Sequence, residues 1–271
     1  AVATYYGNGD ELHLAFNFKP LFTPWWHRSW TATLTETLAA MDARDAWPTW
    51  VISNHDNPRP RTRYDRGAAL HGETADVRLR RSERRARAAA VLLLTLRGTP
   101  FLYQGDELGL EDAEVPAELA VDPGGRDGTR APLPWTPSPP HGWETRRGAR
   151  PWLPFPPDAG SRNHRSQRED EGSILHLHRR LLELRRCEPA LTDGDLRLHE
   201  APEGLLGFSR QLGRERWVVL VNFTDGEVEV GAASDLGDVS SRLVAVASDR
   251  AGEGRPFTGR VGPDQAVVLR P

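Results

Sequence analysis

The sequence predicts parallel βα units followed by an antiparallel β-sandwich domain. The first observation is that short apolar runs alternate with longer helical patterns over residues 11–103. The second is a change to period-two patterning from residue 195 onward, where Gly and Asp turns separate short apolar runs. The third is an intervening segment, residues 111–170, which holds 11 of the 22 prolines and shows no clear period.

Length, charge and cysteine content exclude several classes of protein. The 271 residues fit one large domain or two of moderate size. A net charge of −3 argues against nucleic-acid binding, which normally needs a basic excess. No apolar run approaches the roughly 18 residues of a membrane span. Cys187 is the single cysteine, so an intramolecular disulfide is excluded. We therefore expect neither nucleic acid nor a membrane as a partner.

Strands and helices alternate in the predicted α/β region. Residues 11–18 alternate polar and apolar side chains like a strand, and residues 49–53 form an apolar run typical of a buried parallel strand. Residues 31–44 and 77–97 have helical periodicity, and residues 101–103 form another short strand. This order is typical of parallel βα units, whose functional groups lie at the carboxyl ends of the strands.

The remaining elements complete the predicted organisation. Residues 111–170 are a long loop that we expect to be ordered and docked through its large aromatic residues, Trp135, Trp143, Trp152 and Phe155. Residues 172–187 predict a final amphipathic helix that Pro189 ends. Beyond it, apolar runs predict strands at 196–198, 205–208, 217–223, 228–230, 243–246 and 266–269. We place the domain boundary after residue 190, which gives domains 1–190 and 191–271.

Polar residues follow two of the predicted strands. Asn54, His55 and Asp56 come directly after residues 49–53, where a His and an Asp could bind sugar hydroxyls or transfer protons. They could equally form only a capped strand end with a satisfied polar pair. Asp106 and Glu107 follow the next strand; neighbouring residues point to opposite sides, so at most one faces a pocket. A hydrogen-bonding role at the rim is the favoured interpretation of this pair.

Two arginines in the long loop could join the same rim. Arg126 and Arg130 are four residues apart, so they share a face only if the local backbone is helical. A guanidinium offers a rigid fork of donors to carboxylates and hydroxyls. No group of His and Cys residues has metal-ligand spacing, and we predict neither a metal nor a cofactor.

In combination these motifs resemble glycoside hydrolase family 13, the α-amylase family, and within it the oligo-1,6-glucosidase and α-glucosidase branch. The residues that carry the resemblance are 50–59 (WVISNHDNPR), 98–109 (GTPFLYQGDELG) and 125–135 (GRDGTRAPLPW). It implies that residues 1–190 hold strands 6–8 of a TIM (β/α)8 barrel, and that residues 191–271 are the family's C-terminal β domain.

The resemblance also implies a role for each motif residue. Asp56 matches the third catalytic carboxylate, which stabilises the transition state. His55 and Arg126 match residues that bind the substrate sugar. The remaining rim residues match structural positions near the site: Asn54, Arg59, Asp106, Glu107 and Arg130.

Retaining glycoside hydrolysis needs a nucleophilic carboxylate and an acid/base carboxylate. In this family they follow the fourth and fifth strands, and the chain from Ala1 shows neither. We therefore expect a C-terminal piece, inactive alone, whose partners are an oligosaccharide substrate and the missing N-terminal half of the barrel. The chain opens at Ala1 as if cut from a longer protein, so the absence of a signal-peptide pattern is uninformative about location, and a cytoplasmic location is only the working expectation. The alternatives are a transglucosidase or isomerase such as a trehalose synthase, or a non-catalytic binding module.

Overall fold

The computed structural model describes residues 2–65, 73–143, 150–231 and 235–271. Backbone proximity divides the chain into two units. The first unit comprises Ala1–Ile52, Arg87–Phe101 and Arg180–Pro271, and the second comprises Ser53–Ala86 and Leu102–Arg179. These units divide the chain differently from the predicted domains 1–190 and 191–271, which stay a prediction.

The first unit contains a two-stranded parallel sheet made of Thr49–Val51 (β1) and Thr99–Phe101 (β2). Trp50 lies opposite Pro100, and all of β1 is buried, as expected for a parallel strand that is covered on both faces. The second strand begins two residues earlier than predicted. The reason is that the Thr99 backbone N–H already donates to the Pro48 carbonyl, at 2.9 Å.

Residues 11–18 do not form the predicted strand. The period-two alternation is visible, because Ala15 and Asn17 are buried whereas Leu14 and Phe18 are exposed. Hydrogen bonds to the Thr49 side chain replace the backbone hydrogen bonds that a neighbouring strand would make. The Thr49 hydroxyl accepts from the Asn17 N–H at 3.1 Å and donates to the Ala15 carbonyl at 2.6 Å. One hydroxyl therefore connects this segment to β1 without strand pairing.

The three predicted helices, at 31–44, 77–97 and 172–187, are present with shifted ends, and four short helices in the described part of the chain were not predicted. Their bounds are Lys19–Phe22 (α1), His27–Asp42 (α2), Pro60–Arg63 (α3), Ala75–Thr95 (α4), His164–Glu169 (α5), Ile174–Cys187 (α6) and Pro189–Thr192 (α7). Single 3₁₀ turns lie at Val2–Tyr6 and Asp127–Arg130. Helix α2 begins at His27, four residues earlier than the predicted residue 31. Trp26, which precedes it, has an extended backbone, and Trp30 in its first turn is buried. Pro189 ends α6 as predicted but also opens α7, since proline is tolerated in a first helical turn.

The period-two region forms antiparallel sheets, as its pattern predicts. The strands are Asp195–His199 (β3), Leu205–Leu212 (β4), Glu215–Asn222 (β5), Val228–Glu229 (β6), Val244–Ala247 (β7), Arg260–Val261 (β8) and Ala266–Leu269 (β9). A five-stranded sheet has the order β3-β4-β5-β9-β7, and β6 pairs with β8. Strand β8 was not predicted, because it contains a single apolar residue, Val261, and so shows no alternation. A buried cluster that includes Leu220, Leu236 and Val261 packs beside these sheets, whose arrangement as a sandwich stays a prediction.

Strand β4 carries a fully buried arginine, Arg210. Its guanidinium donates to the carbonyls of Thr95 at 2.8 Å, Leu191 at 2.7 Å and Gly194 at 2.8 Å. Burial lowers the pKa of Arg210 to about 9, which is still above neutral pH, so the group is charged. Carbonyl dipoles therefore compensate this buried charge through direct hydrogen bonds, and the carboxylates of Asp193 and Asp195 add a favourable coulombic effect.

In the long loop of the second unit, the structure describes residues 111–143 and 150–170, and the tryptophans of these segments are not buried. Trp135, Trp143 and Trp152 are exposed. Polar contacts hold the loop instead: Asp158 accepts from Arg61 at 2.5 Å, and Gln167 donates to the Leu108 carbonyl at 2.7 Å. The predicted docking through aromatic residues is therefore wrong for the three tryptophans. In the part of the chain that the structure describes, no helix has the length and apolar character to cross a bilayer.

Candidate functional site

Four of the sequence-predicted residues meet at one carboxylate oxygen in the second unit. The Oδ1 atom of Asp56 accepts from Arg126 Nη1 at 2.9 Å and from Arg130 Nη2 at 3.1 Å. The Nε2 atom of His55 lies 3.5 Å from the same oxygen. We call these four residues the Asp56 cluster.

Asn54 shapes the turn that presents the Asp56 cluster. Its side-chain Oδ1 accepts from the Asp56 backbone N–H at 2.9 Å and from Asn57 Nδ2 at 3.0 Å. An Asn side chain that bonds two residues onward forms an Asx turn, which replaces a backbone turn. The chain therefore reverses directly after β1 and leaves the Asp56 side chain 40% exposed.

The arginines reach Asp56 because a short 3₁₀ turn, Asp127–Arg130, places them on one side. The sequence left this open, since a loop would not have paired residues four apart. Thr129 locks the turn: its hydroxyl lies 2.8 Å from both the His55 and the Arg126 carbonyls, and its O–H can donate to either. The turn is thus tied to the segment that carries Asp56.

Asp122 is a member of the site that sequence reasoning missed. Its carboxylate accepts from the backbone N–H of Arg126 at 2.9 Å, from Nε at 2.8 Å and from Nη2 at 2.5 Å. These hydrogen bonds hold the pKa of Asp122 well below its usual range and raise that of Arg126. The available signal was the spacing of four residues between an acid and an arginine.

Arg59 is fully buried and forms hydrogen bonds to the segments next to the Asp56 cluster. Its guanidinium donates to the carbonyls of Gln104 at 2.7 Å and Thr129 at 3.0 Å, and its backbone N–H donates to Asp112 at 2.9 Å. Gly105 makes room for it: its φ is +92°, and a Cβ there would lie 2.7 Å from Arg59 Nη1. Arg59 therefore links the loop after β2 to the Thr129 turn.

Asp106 and Glu107 lie near Arg59 rather than in the Asp56 cluster. Burial raises the pKa of Asp106 to about 7, against the opposing effect of Arg59, whose Nη1 lies 3.9 Å from Oδ1. Glu107 turns back and accepts from the Gly105 N–H at 2.8 Å. Neither carboxylate has a partner in the Asp56 cluster, and their hydrogen-bonding role at the rim stays a prediction.

A cavity of about 390 Å³ opens beside Asp56 and Arg126. Asp112, Gly124, Gly125 and Thr129 are among the other residues that line it. At Gly124 and Gly125 the wall is formed by backbone alone. An ionic cluster beside a concave, half-open cavity is suited to a small polar ligand with many hydroxyl groups.

Residues 5–194 match the family described as "Alpha amylase, catalytic domain". The chain therefore belongs to the alpha-amylase family, in agreement with the resemblance of its motifs.

Individual relatives agree with this assignment. A probable alpha-glucosidase of Rhizobium meliloti is 34% identical over 82% of this chain and 39% of its own length. An oligo-1,6-glucosidase of Parageobacillus thermoglucosidasius is 25% identical over 79% of this chain and 42% of its own length. The crystal structure of an alpha-glucosyl transfer enzyme has a TM-score of 0.78 and 29% identity, over 99% of this chain and 48% of that one. The chain thus spans about two fifths of the length of these two curated relatives.

Proposed function

We propose that the chain is the C-terminal part of a retaining α-glucosidase-type glycoside hydrolase that acts on terminal α-linked glucose of short oligosaccharides. The names of the two curated relatives support this class of activity. The coverage of about two fifths of their length supports a piece of a longer enzyme. The observation that carries the residue roles is the convergence of three groups on one oxygen of Asp56.

That convergence leaves the other oxygen of Asp56 free to bind a substrate. The contacts of Asp56 with Arg126, Arg130 and His55 all involve Oδ1. No described residue donates a hydrogen bond to Oδ2. A half-exposed carboxylate oxygen held in a fixed orientation can accept from a sugar hydroxyl. Its negative charge also stabilises the oxocarbenium-like transition state of glycoside cleavage. Asp56 is therefore the proposed transition-state stabiliser.

His55 and Arg126 are the proposed sugar-binding residues. The imidazole of His55 is 65% exposed, and only one of its nitrogens faces Asp56. Arg126 is 40% exposed and uses three of its five side-chain N–H groups on Asp122 and Asp56. Both side chains thus retain hydrogen-bonding capacity for hydroxyl groups. Asn54, Arg59, Arg130, Asp106 and Glu107 are proposed to hold this arrangement in place.

The covalent chemistry needs two further carboxylates, about 5–5.5 Å apart on opposite sides of the glycosidic bond. Asp122 is unsuited to either role, because hydrogen bonds from Arg126 hold both of its oxygens. We propose that the nucleophile and the acid/base lie on an N-terminal half of the barrel supplied by the parent protein. The chain alone then binds sugar without cleaving it. A cytoplasmic location stays a prediction.

Glucosyl transfer is the second candidate. The solved alpha-glucosyl transfer enzyme, at 29% identity, favours it. Transfer and hydrolysis share the same glycosyl-enzyme and differ in whether a sugar or water attacks it. Isomerases such as trehalose synthases belong to the same alternative. The non-catalytic binding module is the third, and Asp56 with its free oxygen would serve binding there as well.

The test is turnover of p-nitrophenyl α-glucoside. We expect none from the purified 271-residue chain, and turnover from the parent protein that carries it. In the parent, Asp56→Asn should reduce kcat by at least a hundredfold, whereas Asp225→Asn, at an exposed position, should leave kcat unchanged. Turnover by the chain alone would refute the assignment of the covalent chemistry to another segment. Full activity of the Asp56 variant would refute its role.

A further inference from the structure

We propose that the chain carries a second saccharide-binding site at Trp135, which takes a neutral α-glucan oligosaccharide. The site is a cavity of about 470 Å³ in the second unit. It shares no lining residue with the cavity beside Asp56. Its lining residues are Trp135, Thr136, His164, Arg165, Arg168 and Glu169.

Trp135 provides an apolar wall for the cavity. Its side chain is 46% exposed and lines the cavity instead of packing into the core. A pyranose ring presents C–H groups on its faces, and an indole offers a flat apolar surface of matching size. Burial of that surface against a sugar ring would stabilise the complex without desolvating a charged group.

The wall is already ordered without a ligand. The backbone N–H groups of His164 and Arg165 donate to the carbonyls of Pro134 and Trp135, each at 3.0 Å. The His164 ring meets the Trp135 ring edge to face, with centroids 5.9 Å apart. Gly142 backs the side chain closely, because a Cβ there would lie 2.8 Å from the Trp135 Cβ. Little conformational entropy remains to be lost on binding, which favours affinity.

The lining of the cavity also supplies unused hydrogen-bonding groups. The side chains of Arg165, Arg168 and Glu169 are exposed, and none of them makes an ion pair or a side-chain hydrogen bond with the residues that the structure describes. Sugar hydroxyls both donate and accept, so they can use guanidinium donors and a carboxylate acceptor together. These three side chains carry a net charge of +1, so the choice of a neutral sugar over a sugar phosphate rests on the proposed function and not on charge.

The choice of a glucose oligomer rests on the proposed function, whereas the saccharide class rests on the indole wall of Trp135 and the polar groups of the cavity.

The test is isothermal titration calorimetry of the full chain with maltotriose and isomaltotriose. We expect Trp135→Ala to weaken binding at this site at least tenfold. The control Trp152→Ala removes a tryptophan that is more exposed, at 56%, and does not line this cavity, so it should bind as the wild type does.

Asp56→Asn separates this proposal from the proposed function. Binding that survives Asp56→Asn and is lost in Trp135→Ala supports the second site even if the active-site assignment fails. Binding that is lost only in Asp56→Asn overturns the second site. No binding by the wild type, or binding of glucose 6-phosphate in preference to maltotriose, also overturns it. Should Trp135→Ala not fold, Arg168→Ala and Glu169→Ala, both at exposed positions, must each weaken binding at least threefold.

Discussion

Arg126 and Asp122 form a two-pronged ion pair at the edge of the Asp56 cluster: Nε lies 2.8 Å from one carboxylate oxygen and Nη2 lies 2.5 Å from the other. The planar fork of the guanidinium fits a carboxylate in this arrangement and fixes the plane of the side chain. Only Nη1 then points to Asp56, at 2.9 Å. Asp122 therefore determines where Arg126 presents its remaining donors.

Asp122→Asn should impair the enzyme through Arg126, since the amide is uncharged and replaces one of the two acceptor oxygens with an N–H donor. We expect kcat/KM of the parent protein for an α-glucoside to fall about tenfold or more, as a misplaced binding group can cost up to a hundredfold. The measurement is steady-state kinetics together with thermal unfolding. Asp225→Asn is the matched control at an exposed carboxylate. Unchanged kcat/KM with an intact fold would show that Asp122 does not position Arg126.

Arg210→Met should destabilise the chain by about 3 kcal/mol, because it leaves buried carbonyls without donors. Those carbonyls belong to Thr95, Leu191 and Gly194. The measurement is urea unfolding at neutral pH. Arg214→Met, in the exposed turn of the same hairpin, should stay within about 0.5 kcal/mol of the wild type. Equal midpoints for both variants would contradict the role of Arg210.

Asp106 should make stability depend on pH. Burial raises its pKa from 3.8 to about 7, so the folded protein holds a proton that the unfolded chain has released between these values. The unfolding free energy should therefore fall as the pH rises from about 4 to about 7 and then level off. The rise in pKa corresponds to about 4 kcal/mol at most.

Asp106→Asn tests this dependence, because it removes the titrating group and keeps its size. Urea unfolding between pH 4.5 and 8 should show a smaller loss of stability for this variant than for the wild type. Asp225→Asn should retain the wild-type slope. Parallel curves for all three proteins would show that Asp106 ionises in the folded state as it does in the unfolded chain.

Thr129→Val should loosen the turn that carries the arginines. Valine has the shape of threonine but cannot donate to the His55 and Arg126 carbonyls, each 2.8 Å from the hydroxyl. We expect a loss of about 1–2 kcal/mol in unfolding free energy and a rise in KM of the parent protein. Thr192→Val also removes a hydroxyl that donates to a backbone carbonyl, that of Pro189, but it lies outside the Asp56 cluster and the Trp135 cavity and should leave KM unchanged. A normal KM for Thr129→Val would mean that the turn holds without this hydroxyl.

The elements that sequence reasoning located best are those with long local patterns. Helices α4 and α6 were predicted within two residues at each end, because their apolar periodicity runs over several turns. Strands β4, β5 and β9 were found from alternation between turns. Residues 11–18 had the same alternation and failed to pair, because the hydroxyl of Thr49 makes the contacts that a neighbouring strand would make.

In the candidate site too, local sequence patterns located the residues, whereas tertiary contacts decided how they are arranged. The sequence by itself determined the family and the residue types at the rim, since the motifs around Asp56, Asp106 and Arg126 are local and contiguous. Only the tertiary structure decided that Arg126 and Arg130 share Asp56 Oδ1, and that Asp122 orients Arg126. The physical reason is that hydrogen bonds between residues some 70 positions apart depend on a backbone turn and on side-chain direction, and neither leaves a periodic signal in the chain.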